Sequence, residues 1–170
     1  MKIAFRHLVP LVLIALAVHA DGGRNSMRAD LVGTEETPAI FTAGSGRLWI
    51  QILDRDTRIH FKLTYENLSG PPAVAHVHFG QRNVAGGVSF FFCGGSTKPP
   101  CPATTSGTVE GDVFANDVLG PAVQGIAPGN LAAIIEMMRA GFTYGNMHTA
   151  KHPGGEIRGQ ISGRDGHDDD

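Results

Sequence analysis

Two histidines separated by one residue, in Ala75-His76-Val77-His78-Phe79, are the residues whose type and spacing point most directly to chemistry. On an extended strand, residues i and i+2 project from one face with Cα atoms about 7 Å apart, so both imidazoles reach toward a common point. A metal ion held about 2.0–2.1 Å from each ring nitrogen can bridge them. A third histidine, His148, lies far along the chain in Tyr144-Gly145-Asn146-Met147-His148-Thr149. A sheet that pairs this segment near the first completes a three-histidine set with an open position, a donor set suited to copper or zinc. The competing reading is a pair of solvated histidines on the polar face of a strand, bonded to water or to neighbouring backbone.

Other residues bear on that set. His60 is a possible fourth ligand if the strand around it forms a hairpin with the strand carrying His78. Glu156 and Arg158 alternate on the polar side of the last strand. They either orient an imidazole by hydrogen bonding or form a surface ion pair, which contributes little. His152, in Lys151-His152-Pro153-Gly154-Gly155, reads as an exposed loop residue. No nucleophile triad, phosphate-cradling loop or carboxylate pair supports a hydrolase, so no catalytic residue is assigned.

The elements that must position these side chains are short strands. Leu48, Ile50 and Ile52 alternate along one run, and Ile59, Phe61, Leu63 and Tyr65 share a face of the next. Asp54-Arg55-Asp56 between them reads as a hairpin turn. Ala75, Val77 and Phe79 oppose His76 and His78 on a third strand, and Val88–Phe92, Thr108–Phe114 and Gly155–Ser162 supply further strands. One helix interrupts the series. Asn130 is a fitting N-cap, Leu131, Ile134, Ile135 and Met138 form an apolar stripe, and Gly141 sits where a C-terminal glycine cap belongs. About seven strands with 23 glycines and 10 prolines make an all-β domain, a Greek-key β-sandwich or barrel with one inserted helix.

Length and composition bound the rest. A chain of 170 residues suits one domain with a true core. Residues 1–20 read as a cleaved signal peptide: Lys2 and Arg6 precede an apolar run over Leu8–Val18, and Val18-His19-Ala20 offers a cleavage site. The run is too short to span a bilayer, and no later segment spans one either. Cleavage lowers the Lys and Arg total from 14 to 12 against 16 acidic residues, which argues against nucleic acid as a partner. Residues 21–29 read as a flexible leader, 30–162 as the domain and 163–170 as an acidic disordered tail. Cys93 and Cys101 flank a turn-rich segment and are expected to form a disulfide after export. Two thiols without a nearby histidine make a poor zinc site.

The chain resembles the chordin-repeat (CHRD) family over roughly residues 30–162. The matching stretches are Leu31-Val32-Gly33-Thr34-Glu35-Glu36-Thr37-Pro38 with Gly44-Ser45-Gly46, Ala75-His76-Val77-His78-Phe79-Gly80, Gly141–Thr149, and Pro153-Gly154-Gly155-Glu156-Ile157-Arg158-Gly159-Gln160. Gly145 departs from the bulkier apolar residue often found there, and the Cys93–Cys101 segment is not a general family feature. The resemblance implies an immunoglobulin-like or Cu,Zn superoxide-dismutase-like β fold and an extracellular or periplasmic setting. The layout of His76, His78 and His148 is similar to the copper ligands of that dismutase. A full dismutase centre is disfavoured because no histidine lies between His78 and His148. Three functions follow: a copper- or zinc-binding module, a non-enzymatic extracellular domain that contacts a protein partner, and, least favoured, a copper oxidoreductase.

Overall fold

A computed structural model describes residues 25–95 and 98–163. Residues 1–20, expected to be a signal peptide, the first four residues of the expected leader and most of the acidic tail lie outside these residues. The elements in chain order are β1 (Ser26–Val32), β2 (Ser45–Leu53), β3 (Arg58–Glu66), β4 (Pro72–Phe79), β5 (Gly87–Cys93), β6 (Gly107–Val113), α1 (Leu131–Arg139), β7 (Thr143–Thr149), β8 (Ile157–Gln160) and β9 (Ser162–Gly163). The strands form one antiparallel sheet in the order β5-β4-β7-β8-β1-β2-β3-β6, with β9 against β1. The ends of this order, β5 and β6, approach each other, so the sheet curls into a near-closed barrel. The all-β class with one helix is as the sequence predicts.

Alternation in the sequence builds the barrel. Leu48, Ile50 and Ile52 on β2 and Ile59, Phe61 and Leu63 on β3 all turn inward and are buried. The β2–β3 hairpin pairs Leu53 with Arg58, and its turn holds Asp54, Arg55 and Asp56 at φ of 54°, 56° and 67°. Asp and Asn tolerate this left-handed region better than most residues, and an exposed turn accommodates the arginine. Across the seam, the Phe61 ring of β3 meets the Phe92 ring of β5 with centroids 4.5 Å apart. Each such buried side chain contributes about 1.5–3 kcal/mol of transfer free energy.

The helix forms where the stripe places it. The Asn130 side chain accepts a hydrogen bond from the Ala133 N–H, and Leu131, Ile134, Ile135 and Met138 are buried against the barrel. Gly141 follows in a left-handed conformation at φ 75°.

Two sequence expectations change. Residues 26–29 are not a loose leader but the start of β1, because Met27 and Ala29 alternate into the core while Arg28 pairs across the sheet with Trp49. Ser26, Arg28 and Asp30 alternate with the buried Met27, Ala29 and Leu31, the period of a half-buried strand. In addition, β3 pairs with β2 and β6, not with β4. His60 therefore stands between Gln51 and Asp112, on a different part of the barrel from His78.

Cys93 at the end of β5 is bonded to Cys101, and the loop they close lies across the β5–β6 seam. Within it, the Lys98 ammonium meets Asp117 at 3.0 Å and donates to the Asp112 carbonyl of β6 at 2.7 Å. Covalent and ionic ties thus hold the seam where strand pairing is absent. Closing a loop this short contributes about 2–3 kcal/mol on the chain-entropy account. The Cys93→Ala/Cys101→Ala double variant is accordingly expected to lose about that much unfolding free energy in a urea titration, with its secondary structure intact.

Candidate functional site

The strand that carries His76 and His78 is paired on both sides, with β5 on one and β7 on the other. Its Ala75 and Val77 side chains point into the barrel and are fully buried. Period-two alternation therefore puts His76 and His78 on the outer face of the barrel wall. The β4–β7 register sets Val74 opposite His148, His76 opposite Asn146 and His78 opposite Tyr144. The next register sets Asn146 opposite Arg158 and Tyr144 opposite Gln160. One polar face thus spans three strands, and the three histidines stand on neighbouring rows of it.

This outer face is not solvated. His76, Asn146 and Arg158 are 5%, 2% and 2% exposed. Loops fold down over them. The Arg158 guanidinium donates to the Gln81 and Val84 carbonyls, each at 3.0 Å, and to the Thr37 hydroxyl at 3.3 Å. Arg82 and Glu35 join the two covering loops by an ion pair at 2.6 Å. The Glu156 carboxylate accepts from the Thr42, Ser69 and Thr149 hydroxyls and from the Ser69 N–H, all between 2.6 and 2.8 Å.

The histidines converge: one ring nitrogen from each of His76, His78 and His148 lies within 4.8 Å of the others. The His76 ring centroid is 4.5 Å from that of His78 and 4.6 Å from that of His148. Two of the three are fixed by backbone carbonyls. His78 Nδ1 meets the Gly86 oxygen at 2.8 Å, and His148 Nδ1 meets the Pro153 oxygen at 2.9 Å. A carbonyl only accepts, so both rings carry their proton on Nδ1 and keep a lone pair on Nε2. This is how metal-ligating histidines are commonly oriented by their surroundings. His148 Nε2 and His76 Nδ1 are buried and have no hydrogen-bond partner among the described residues. Buried nitrogens without partners cost free energy, and a shared cation removes that cost. Closing the nitrogens to the roughly 3.4 Å edge of a tetrahedral site with 2.0–2.1 Å bonds takes side-chain rotations of about an ångström.

Electrostatics keeps the set neutral. Burial, followed by the neighbouring imidazoles of His78 and His148, pushes His76 down to about 2. Burial takes His78 down to about 4, with His148 and Arg158 adding to the shift and the Gly86 carbonyl opposing it. His148 is also lowered by burial. Tyr144 stacks on His78 with ring centroids 4.6 Å apart and planes 10° from parallel, and Arg158 covers the other face of Tyr144 at 3.5 Å. The Tyr144 hydroxyl accepts from the Gly86 N–H at 3.1 Å, so the loop that holds His78 is itself held.

A family model for the CHRD domain matches residues 27–161, nearly all of the described chain. The chain belongs to the CHRD-domain family. No curated protein and no solved structure matches it. Every part of the site lies inside the CHRD domain, and the Cys93–Cys101 disulfide is consistent with an oxidising compartment.

Within the CHRD domain, His76, His78 and His148 meet, and His60 does not join them. His60 Nδ1 lies 3.0 Å from Asp112 and its Nε2 3.5 Å from Glu110, on β6. Glu156 and Arg158 are not a surface pair. Both are buried, and each is bonded to other groups: Glu156 ties the loops beside His148, whereas Arg158 braces Tyr144 against His78. His152 is half-buried and its N–H caps the end of β7 on the Thr149 carbonyl. Gly145 faces the barrel, where an added Cβ would lie 3.0 Å from Leu48, so a bulkier residue requires Leu48 to shift. Tyr144, Asn146 and Glu36 also belong to the site, beyond the residues expected from the sequence. Alternation with His148 was the available signal for the first two; Glu36 carried none.

Holding imidazoles neutral has a pH consequence. Their folded pKa values lie below the ordinary 6.5, so the unfolded chain takes up protons first as pH falls. Stability present above pH 6.5 is lost progressively toward pH 4, by about 1 kcal/mol per pH unit for each such histidine. Glu36, raised to about 7, works in the opposite direction over part of this range and offsets one of them. Urea midpoints measured from pH 7 to pH 4.5 are expected to fall, and to fall less steeply in His76→Asn.

Proposed function

We propose that this CHRD domain is a secreted or periplasmic metal-binding module in which His76, His78 and His148 hold one copper or zinc ion. The observation that supports it most is the convergence of one ring nitrogen from each histidine, with the Pro153 carbonyl turning the partnerless Nε2 of His148 toward the partnerless Nδ1 of His76. Imidazole nitrogen without carboxylate or thiolate suits zinc and copper better than calcium or magnesium. Three protein ligands leave a coordination position for water or another small ligand. Export by a signal peptide over residues 1–20 accords with the disulfide and with the family.

Tyr144, Arg158, Gly86 and Pro153 serve this function by fixing ring orientation. Glu156 serves it at one remove: its four hydrogen bonds outweigh the effect of burial and hold its carboxyl below the usual range, so it stays ionised and keeps the loops in place.

Calorimetric titration of the mature chain with zinc or copper is expected to show one tight equivalent. His76→Ala and His148→Ala are each expected to weaken it roughly 100-fold or more, while His60→Ala leaves it unchanged. Removing residues 163–170 is also expected to leave it unchanged. Binding that vanishes with the tail and survives the histidine variants contradicts the proposal, and the histidines would then serve folding or contact with a protein partner.

A further inference from the structure

Glu36 lies beside the histidine face without touching an imidazole, and its surroundings are unusual for a carboxyl. It follows the short turn after β1 and is 9% exposed. Its Oε1 accepts a hydrogen bond from Asn146 Nδ2. Asn146 stands directly opposite His76 in the β4–β7 register and two residues before His148. On its other side the carboxyl presses on the loop that fixes His148. A Cβ at Gly155 would lie 2.5 Å from Glu36 Oε1 and 2.8 Å from Asn146 Nδ2, so that position tolerates only glycine. The Asn146 side chain therefore links this carboxyl to the strand face that carries the imidazoles.

The charge balance of the layer gives the position its meaning. Three neutral histidines bring no charge, and Arg158 is already buried among them. A divalent cation adds two positive charges to a region with little water, where an unbalanced charge is costly. The ionisable groups facing Glu36 are Arg158 from β8 and Tyr144 from β7. Glu35, in the same loop, is committed to Arg82. Burial raises the Glu36 carboxyl to about 7 in spite of Arg158, Asn146 and the Thr37 backbone, so near neutral pH it holds a proton that a nearby cation can expel.

We propose that Glu36 is the charge-compensating group of the histidine site. As a divalent cation binds the imidazoles, the Glu36 carboxyl releases its proton to solvent, and the resulting carboxylate is held by Asn146 and faces Arg158. This rests on the reading of the trio as a metal site. Glu36 is a positioning and charge-balancing residue, not a ligand. Metal binding is thereby coupled to proton release, and affinity rises with pH through the range in which Glu36 would otherwise be protonated.

The test is zinc titration of the mature chain at pH 6 in two buffers of different ionisation enthalpy, comparing wild type with Glu36→Gln. Gln keeps an acceptor for Asn146 and has no proton to release. Wild type is expected to release about one proton more per zinc than the variant, and its affinity to gain up to about tenfold more per pH unit. Equal proton release by the two proteins overturns the proposal. If Glu36→Gln does not fold, infrared difference spectra of wild type decide: loss of a protonated-carboxyl band on adding zinc supports the proposal, and an unchanged band overturns it. Failure of wild type to bind zinc at all removes the histidine site itself, and appears as an absence of binding heat and not as a missing proton.

Discussion

Polar groups taken out of water must find partners, and the outer face of β4, β7 and β8 is where this constraint shapes the domain. A half-covered sheet ordinarily leaves such a face to solvent. Here His76, Asn146, Glu156 and Arg158 are all buried, and four loops supply most of the partners on this face. The segment after β1 brings Glu36, Thr37 and Thr42; the β3–β4 loop brings Ser69; the β4–β5 loop brings the Gly86, Gln81 and Val84 carbonyls; the β7–β8 loop brings Pro153. Each loop is anchored by the groups it satisfies. Losing one partner leaves a buried polar group unpaired, which costs about 1–3 kcal/mol. Among the described residues the buried polar atoms without a partner are the His76 and His148 nitrogens, which lie side by side, and one oxygen each of Ser89, Thr143 and Gln160.

The barrel and the site are built from the same strands by alternation. Ala75, Val77 and Met147 fill the interior, and their neighbours His76, His78, Asn146 and His148 form the polar face outside. The site is therefore mounted on the rigid wall, while loops provide cover and orientation. Two stacked layers continue the rigidity outward, with Arg158 over Tyr144 and Tyr144 over His78. A ligand set mounted this way loses little conformational entropy when an ion arrives.

Much of this was legible in the sequence, for identifiable reasons. The His76-Val77-His78 spacing gives a shared face from strand geometry alone, and the Asn130 cap with its apolar stripe places the helix. The two cysteines with a glycine- and proline-rich segment between them give the disulfide. What was not legible depends on strand order and on covering loops. The alternation in β3 is as clear as in β4, but nothing local says that β3 lies between β2 and β6, so His60 was drawn toward the wrong neighbours. Glu156 and Arg158 alternate like surface residues because period two reports a face, not what lies above it. Glu36, among polar residues next to Pro38, had no pattern to mark it; only the packed structure sets it against Asn146 and Gly155.

X-ray absorption at the zinc edge of the loaded mature domain tests the central claim most directly, since it reports which atoms surround the ion. The account predicts a shell dominated by imidazole nitrogen at about 2.0–2.1 Å, with the multiple scattering of three rings and one lighter ligand. A shell dominated by carboxylate oxygen, or one imidazole alone, would contradict it and place the ion elsewhere.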